Sequence, residues 1–355
     1  MDFTARVTTL TQDRLLPKVV DITLGDNFQT FRILSNAKKW DGTQMSRPFK
    51  YQKSTLGGSF SGLDTHSTST VQTRQNLTFD IRGYEMPVAI PGMEKAVNRT
   101  ASQVMSLVRV ELESAQQDMI DDIGDMVYGL GTGNSNKDFL GLGAAIDDGT
   151  EIDSYGGQSR MTYSGLKATR IASGGSLTLT KLATLMSAVS AGSSNRLRPT
   201  FLVSNESVRD LFEELMTPMV RANYESYSMP MVTRTSRGVI RGAEATASLG
   251  FSAYVFRATP WVADEKSTAQ TLWAENENFI DWYGLSDPDL QSISLGTAEI
   301  DGVYSEAPSK NLGFQWTGFM RPINQYGEVA HIYLLGNMVC WNPLRQGRLT
   351  GLTTI

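Results

Sequence analysis

The chain has 355 residues, 40% of them hydrophobic and 19% charged, so it can bury more than one compact core and is neither disordered nor fibrous. Thirty-two basic residues against 37 acidic ones leave a net charge of −5, which argues against a protein whose main task is to coat itself with nucleic acid. Two histidines and the lone Cys340 remove zinc clusters, CxxC pairs and intrachain disulfides, and no G-x-S-x-G sequence offers a hydrolase nucleophile.

No run approaches the roughly 18 apolar residues of a membrane-spanning helix. The N-terminal MDFTARVTTLTQDRLLPKVV lacks the apolar stretch of a signal peptide, so the sequence predicts synthesis in a cytoplasm-like compartment. The first forty residues show no long period. DITLGDNFQTFRIL predicts one short strand with Phe31 and Ile33 on one face, and the rest reads as an extended arm.

From Trp40 to Met86 the composition shifts to Ser, Thr, Gly, Lys and Gln. Phe49 and Tyr51 alternate with Lys50 and Gln52, and Leu77, Phe79 and Ile81 alternate with polar residues, the period of half-buried strands. Between them GGSFSGLDTHSTST has little to bury. The prediction is a long two-stranded hairpin, an element that needs a partner surface to be stable. After Pro87 and Pro91, the residues Val97, Ala101, Val104, Val108, Leu112, Ala115, Met119, Ile123, Met126 and Leu130 recur at steps of three and four, predicting one amphipathic helix over Glu94 to Tyr128. Asp118, Asp121, Asp122 and Asp125 crowd its last third, where the helix dipole disfavours acids, so they call for partners outside the helix. The glycine-dense GLGTGNSNKDFLGLGAAIDDG follows a helix instead of a strand and lacks the third glycine of a dinucleotide loop, so it reads as helix termination and a surface loop.

An α/β pattern begins near Ser176. SLTLTKLATLMSAVSAG predicts a helix capped by Thr178 or Thr180 with Leu182, Leu185, Met186 and Val189 as its core stripe. TFLVS is a buried strand, SVRDLFEELMTP a helix capped by Asn205 or Ser207, and SLGFSAYVFRATPWV and AQTLWAEN are further strands, together a sheet flanked by helices. NLGFQWTGFM, with Leu312, Phe314 and Trp316 alternating, and EVAHIYLLGNMVCWNP return to β. His66 and His331 have no acid or cysteine at ligand spacing, and Trp261, Trp273, Trp282, Trp316 and Trp341 read as core or subunit-contact anchors.

The order of parts resembles the major capsid proteins of tailed bacteriophages, the Hong Kong 97-type shell fold. The carriers are the hairpin-to-helix segment TVQTRQNLTFDIRGYEMPVAIPGMEKAVNRTASQVMSLVRVELESAQQDMIDDIGDMVYGLGTG, the strand and helix TFLVSNESVRDLFEELM, and the tail NLGFQWTGFMRPINQYGEVAHIYLLGNMVCWNPLRQGRLTGL. The resemblance implies an α+β chain with an N-terminal arm (1–39), an extended hairpin loop (40–90), a peripheral domain with a long spine helix (91–175), an axial α/β domain (176–307) and return strands of the peripheral domain (308–355). It implies a structural, non-catalytic virion protein, assembled in the host cytoplasm into pentamers and hexamers around double-stranded DNA, with no cofactor and no membrane. Scaffolding, portal and decoration proteins are the further partners it suggests. Expected subunit contacts are Arg47, Phe49, Lys50, Tyr51 and Lys53 on the hairpin and Asp118, Asp121 and Asp122 on the helix. Some relatives join a hairpin lysine to a neighbour's asparagine; Lys50 or Lys53 and Asn324 or Asn337 stand in suitable segments, though no local motif selects them. An encapsulin-type compartment and a cytoplasmic enzyme with carboxylate chemistry are the alternatives.

Overall fold

A computed structural model of the chain describes residues 28–66, 68–98, 107–172, 174–191, 195–222, 233–235, 238–240, 253–257, 259–287, 290–292 and 313–354. The expected arm, apart from its last residues, lies outside them. Those last residues differ from expectation: they form a helix, α1 (Phe28–Ser35), instead of a strand. The helix places Gln29, Thr30, Ile33 and Leu34 on one buried face and leaves Phe31 outside. Half of that inward face is polar, which hides the helical period from a hydrophobicity reading.

The two-residue strand β1 (Lys38–Lys39) leads to the hairpin β2 (Gln44–Lys50) and β3 (Arg74–Asp80), paired antiparallel from Gln44 opposite Asp80 to Lys50 opposite Arg74. Leu77 and Phe79 are buried, as their alternation predicts. The long strand β4 (Arg82–Pro91) runs into α2 (Gly92–Asn98), and α3 (Leu107–Tyr128) follows. The single helix expected over Glu94 to Tyr128 is thus described at its two ends, and 99–106 lie outside the described residues. Met119 and Ile123 are fully buried; Val97, expected in the core stripe, is 71% exposed.

Past α3, the glycines are packing devices. A Cβ at Gly141 would sit 2.3 Å from the Gly129 carbonyl oxygen, and Leu142, Gly143, Ala144 and Ala145 are all buried. The second half of this run is therefore core, a correction to the surface loop expected from its composition. Helix-end carbonyl oxygens meet these glycines, an environment that repels phosphate.

Next come β5 (Thr169–Ile171), α4 (Leu179–Val189), β6 (Phe201–Ser204), α5 (Glu206–Ala222), β7 (Ala253–Phe256), β8 (Thr259–Ala263), β9 (Leu272–Glu275), β10 (Ile280–Gly284), β11 (Gln291–Ser292), β12 (Gln315–Trp316), β13 (Gly327–Cys340) and β14 (Gly347–Leu349). Thr178 caps α4 by accepting from the Lys181 N–H, and the Asn205 side chain accepts from Ser207 N at the start of α5. The strand expected around Phe314 is short, covering Gln315 and Trp316 alone.

Two six-stranded sheets organise the described residues. One is ordered β7-β8-β6-β9-β14-β5, and the other β1-β10-β13-β12-β11 with β4 also paired to β13. Each draws strands from distant sequence: β5 and β14 enter the first sheet from outside 176–307, and β10 leaves that segment to pair with β13 in the second. Leu182, Leu185, Val189, Leu202 and Trp261 centre the first core, while Trp40, Met119, Ile123, Trp282 and Ile332 belong to the second.

Candidate assembly surface

The hairpin has two unlike ends. Its base is bound to the body: Thr78 N donates to Gly156 O at 2.9 Å, and the Gln158 side chain donates to Asn76 O at 3.0 Å. Gly156 has φ +58°, and a Cβ there would lie 2.9 Å from Leu77 Cδ2, so both its conformation and its space require glycine. Higher up, Phe49 and Tyr51 meet Tyr163 edge-on at 5.6 and 5.0 Å, and the Arg47 guanidinium stacks 5.1 Å from the Trp341 ring. Phe49, Tyr51 and Arg47 therefore serve to hold the hairpin to its own chain. The period of two puts Lys50 on the opposite face from Arg47. It stands directly across from Arg74, and both are exposed.

Beyond Tyr51 the described tip is almost wholly exposed, with Phe60 at 70% and Leu63 at 102%. Among the described residues, no carboxylate lies within ion-pair distance of Lys50, Lys53 or Arg74. Four cations (Arg47, Lys50, Lys53, Arg74) against Asp64 give residues 44–74 a charge of +3. Two like charges facing each other across a hairpin destabilise it unless an anion from elsewhere sits between them.

The helix acids divide. Asp121 and Asp125 both bind Lys266 Nζ, at 2.7 and 3.3 Å, and Asp122 accepts from the Tyr84 hydroxyl. That proton is held tightly: burial, then the hydrogen bond to Asp122, raises the Tyr84 pKa. Asp121 and Asp122 thus find within the chain the partners that the helix dipole predicts they need, while Asp118 is exposed. The single chain does not bring the hairpin cations to these acids.

Of the asparagines in suitable segments, Asn337 is fully buried. Its amide donates to Asp80 O and accepts from Leu140 N, both at 2.9 Å, so within the chain it is a strut between the hairpin base and the glycine run. Asn324 is exposed. Cys340 is buried, and its thiol is pushed up to about 12, an inert core residue. His66 lies edge-on to Phe60, and His331 stacks on Tyr333. No metal-ligand cluster occurs among the described residues. Trp40, Trp261, Trp273 and Trp282 are buried; Trp316 and Trp341 are half-buried at hairpin and strand surfaces. Arg74, Tyr163 and Gly156 escape sequence reasoning. Only Arg74 carried a signal, had the hairpin register been fixed first.

No protein-family model matches the chain, and no curated protein matches it in sequence. Its fold is found in solved structures. The capsid asymmetric unit of cyanophage A-1(L) superposes with a TM-score of 0.71 at 14% identity, covering 99% of both chains. The fold is the Hong Kong 97-type shell fold. The capsid of the Myoviridae phage XM1 shares it at a TM-score of 0.58 and 12% identity, over 96% of this chain and 97% of that one. So does the SrpI encapsulin of Synechococcus elongatus PCC 7942, at 0.58 and 10%, over 99% and 96%.

Proposed function

We propose that the chain is a major capsid protein, which self-assembles into the icosahedral shell of a tailed double-stranded DNA phage and has no catalytic role. The observation that carries this reading is the full-length likeness to a phage capsid subunit at a TM-score of 0.71, against 0.58 for the encapsulin. The hairpin supports it physically. A two-stranded element that ends in exposed Phe60 and Leu63, with unpaired cations, is completed by a neighbouring copy. Lys50, Lys53, Arg74 and the tip are the neighbour-facing groups, with the exposed Asp118 on the helix as a further contact residue; Arg47, Phe49 and Tyr51 set the hairpin's angle. Pentamers and hexamers, a scaffold, a portal and weak contact with packaged DNA in the host cytoplasm belong to the same reading. A net charge of −5 suits a wall that must not grip phosphate.

Electron microscopy of the purified protein tests it. Closed icosahedral particles are expected, and protein that stays monomeric under every assembly condition would defeat the reading. Nuclease-protected DNA inside particles from the source is expected of a phage; a protein cargo without DNA would favour the compartment.

A further inference from the structure

Three buried carboxylates meet beneath α1. Asp264 follows β8, Glu275 ends β9, and Glu277 opens a short helical turn, with exposures of 1%, 0% and 3%. Charged groups and donors reach them from every side. From α1, Gln29 N donates to Asp264 Oδ2 at 2.9 Å, Gln29 Nε2 donates to Glu275 Oε2 at 2.6 Å, and the Arg32 guanidinium forks onto Glu277, one arm at 2.8 Å. From α3, the Tyr128 hydroxyl donates to Asp264 at 2.9 Å. Lys266 offers Asp264 its backbone N–H at 3.0 Å and sends its ammonium to Asp121 and Asp125.

Glu277 therefore has a cation and Asp264 has three donors, whereas Glu275 has one amide. Its Oε1 is buried with no hydrogen-bond partner among the described residues, and so is Gln29 Oε1. These two orphan oxygens belong to the two planar groups that the Nε2···Oε2 bond already joins. Each lacks a donor, and one proton on Glu275 supplies it, since an acid and a primary amide can then exchange two hydrogen bonds. An ionised Glu275 would instead bury a third negative charge beside two carboxylates with one guanidinium among them.

We infer that α1 is a proton-dependent clasp, docked while Glu275 carries a proton and released as that carboxyl ionises. Burial, then the charges of Glu277 and Asp264, raise the Glu275 pKa well above the ordinary carboxylate value, in agreement with the geometry. The sign follows from linkage: a carboxyl raised in the docked state favours docking at low pH, and that contribution is lost as pH rises from the ordinary glutamate range through the raised value. This is a property of the single chain and stands apart from the shell reading.

Amide hydrogen exchange of the full-length chain from pH 5 to pH 9, corrected for intrinsic rates, tests it on residues 28–35. Protection of α1 is expected to fall about tenfold for each pH unit between the free and docked values of Glu275, and to be independent of pH in Glu275→Gln, which cannot ionise. Gln29→Ala, which removes the amide and keeps a good helix former, should exchange fast at every pH. A flat wild-type profile overturns the inference, as does a wild-type pH dependence that survives in either variant. If Glu275→Gln fails to accumulate, Gln29→Ala alone decides by the same criterion.

Discussion

Asp147 shows how single residues fix this molecule. Its fully buried carboxylate faces the equally buried Arg160 at 3.7 Å and receives Arg348 Nη2 at 2.9 Å, while Arg348 also reaches Glu151 at 2.7 Å. Arg160 spends its other donors on the carbonyls of Ala144, Ile152 and Leu166. Burial opposes the charge on Asp147, but N–H groups of Ile152, Gly149 and Glu151, with Arg160, hold its pKa below the ordinary value. A carboxyl depressed in the fold contributes stability above its unfolded pKa and loses it as pH falls through the folded one. Asp147→Ala should thus cost about 3–5 kcal/mol, since Arg160 stays buried and unpaired, and should flatten the acid limb of a urea-midpoint profile. Gly156→Ala should cost on the order of 1–2 kcal/mol through its positive φ, with added strain against Leu77. Faster exchange of the β3 amides than of the β9 amides would localise that damage to the hairpin base; uniform loss would contradict it.

At the scale of the element, the hairpin places two requirements in conflict. Lys50 and Arg74 repel across the ladder, so Arg74→Glu should stabilise the isolated chain by about 0.2–1 kcal/mol. The same change removes a cation from the neighbour-facing surface, so particle yield should fall while the melting temperature of unassembled protein holds or rises. A variant that melts lower and assembles normally would refute this assignment. Elements with a one-sided apolar pattern, such as β3, α4 and the end of α3, were legible in the sequence because period and burial coincide there. α1 was not, since its inward face carries Gln29 and Arg32, whose partners Asp264, Glu275 and Glu277 lie more than 230 residues away. Arg47, Lys50 and Lys53 were legible as a basic group on one arm of the hairpin, whereas Arg74 joins them only through the register of the opposite arm. The period of two already separates Arg47 from Lys50, but that Arg47 stacks on a tryptophan depended on Trp341, which comes from the other end of the chain.

For the whole molecule, charge is distributed against its mean. Residues 44–74 carry +3 in a chain of net −5, so the remainder carries the whole acidic excess. Two copies repel as net charges but attract wherever the hairpin of one lies over the acidic body of the next, a heterologous contact that closes into rings or shells. Salt acts on both terms, because the Debye length shrinks from about 10 Å at 0.1 M to about 3 Å at 1 M. If the proposed hairpin contact holds, its attraction acts at short range and governs the encounter, so wild-type assembly followed by light scattering should slow as salt rises. Reversing two of the cations, Lys50→Glu with Lys53→Glu, turns the segment acidic and makes both terms repulsive. Salt then screens only repulsion, and assembly of this variant should accelerate with salt from a lower starting rate. Opposite slopes in the two proteins are the expected result. Parallel slopes would show that the hairpin cations do not face acids of a neighbouring copy.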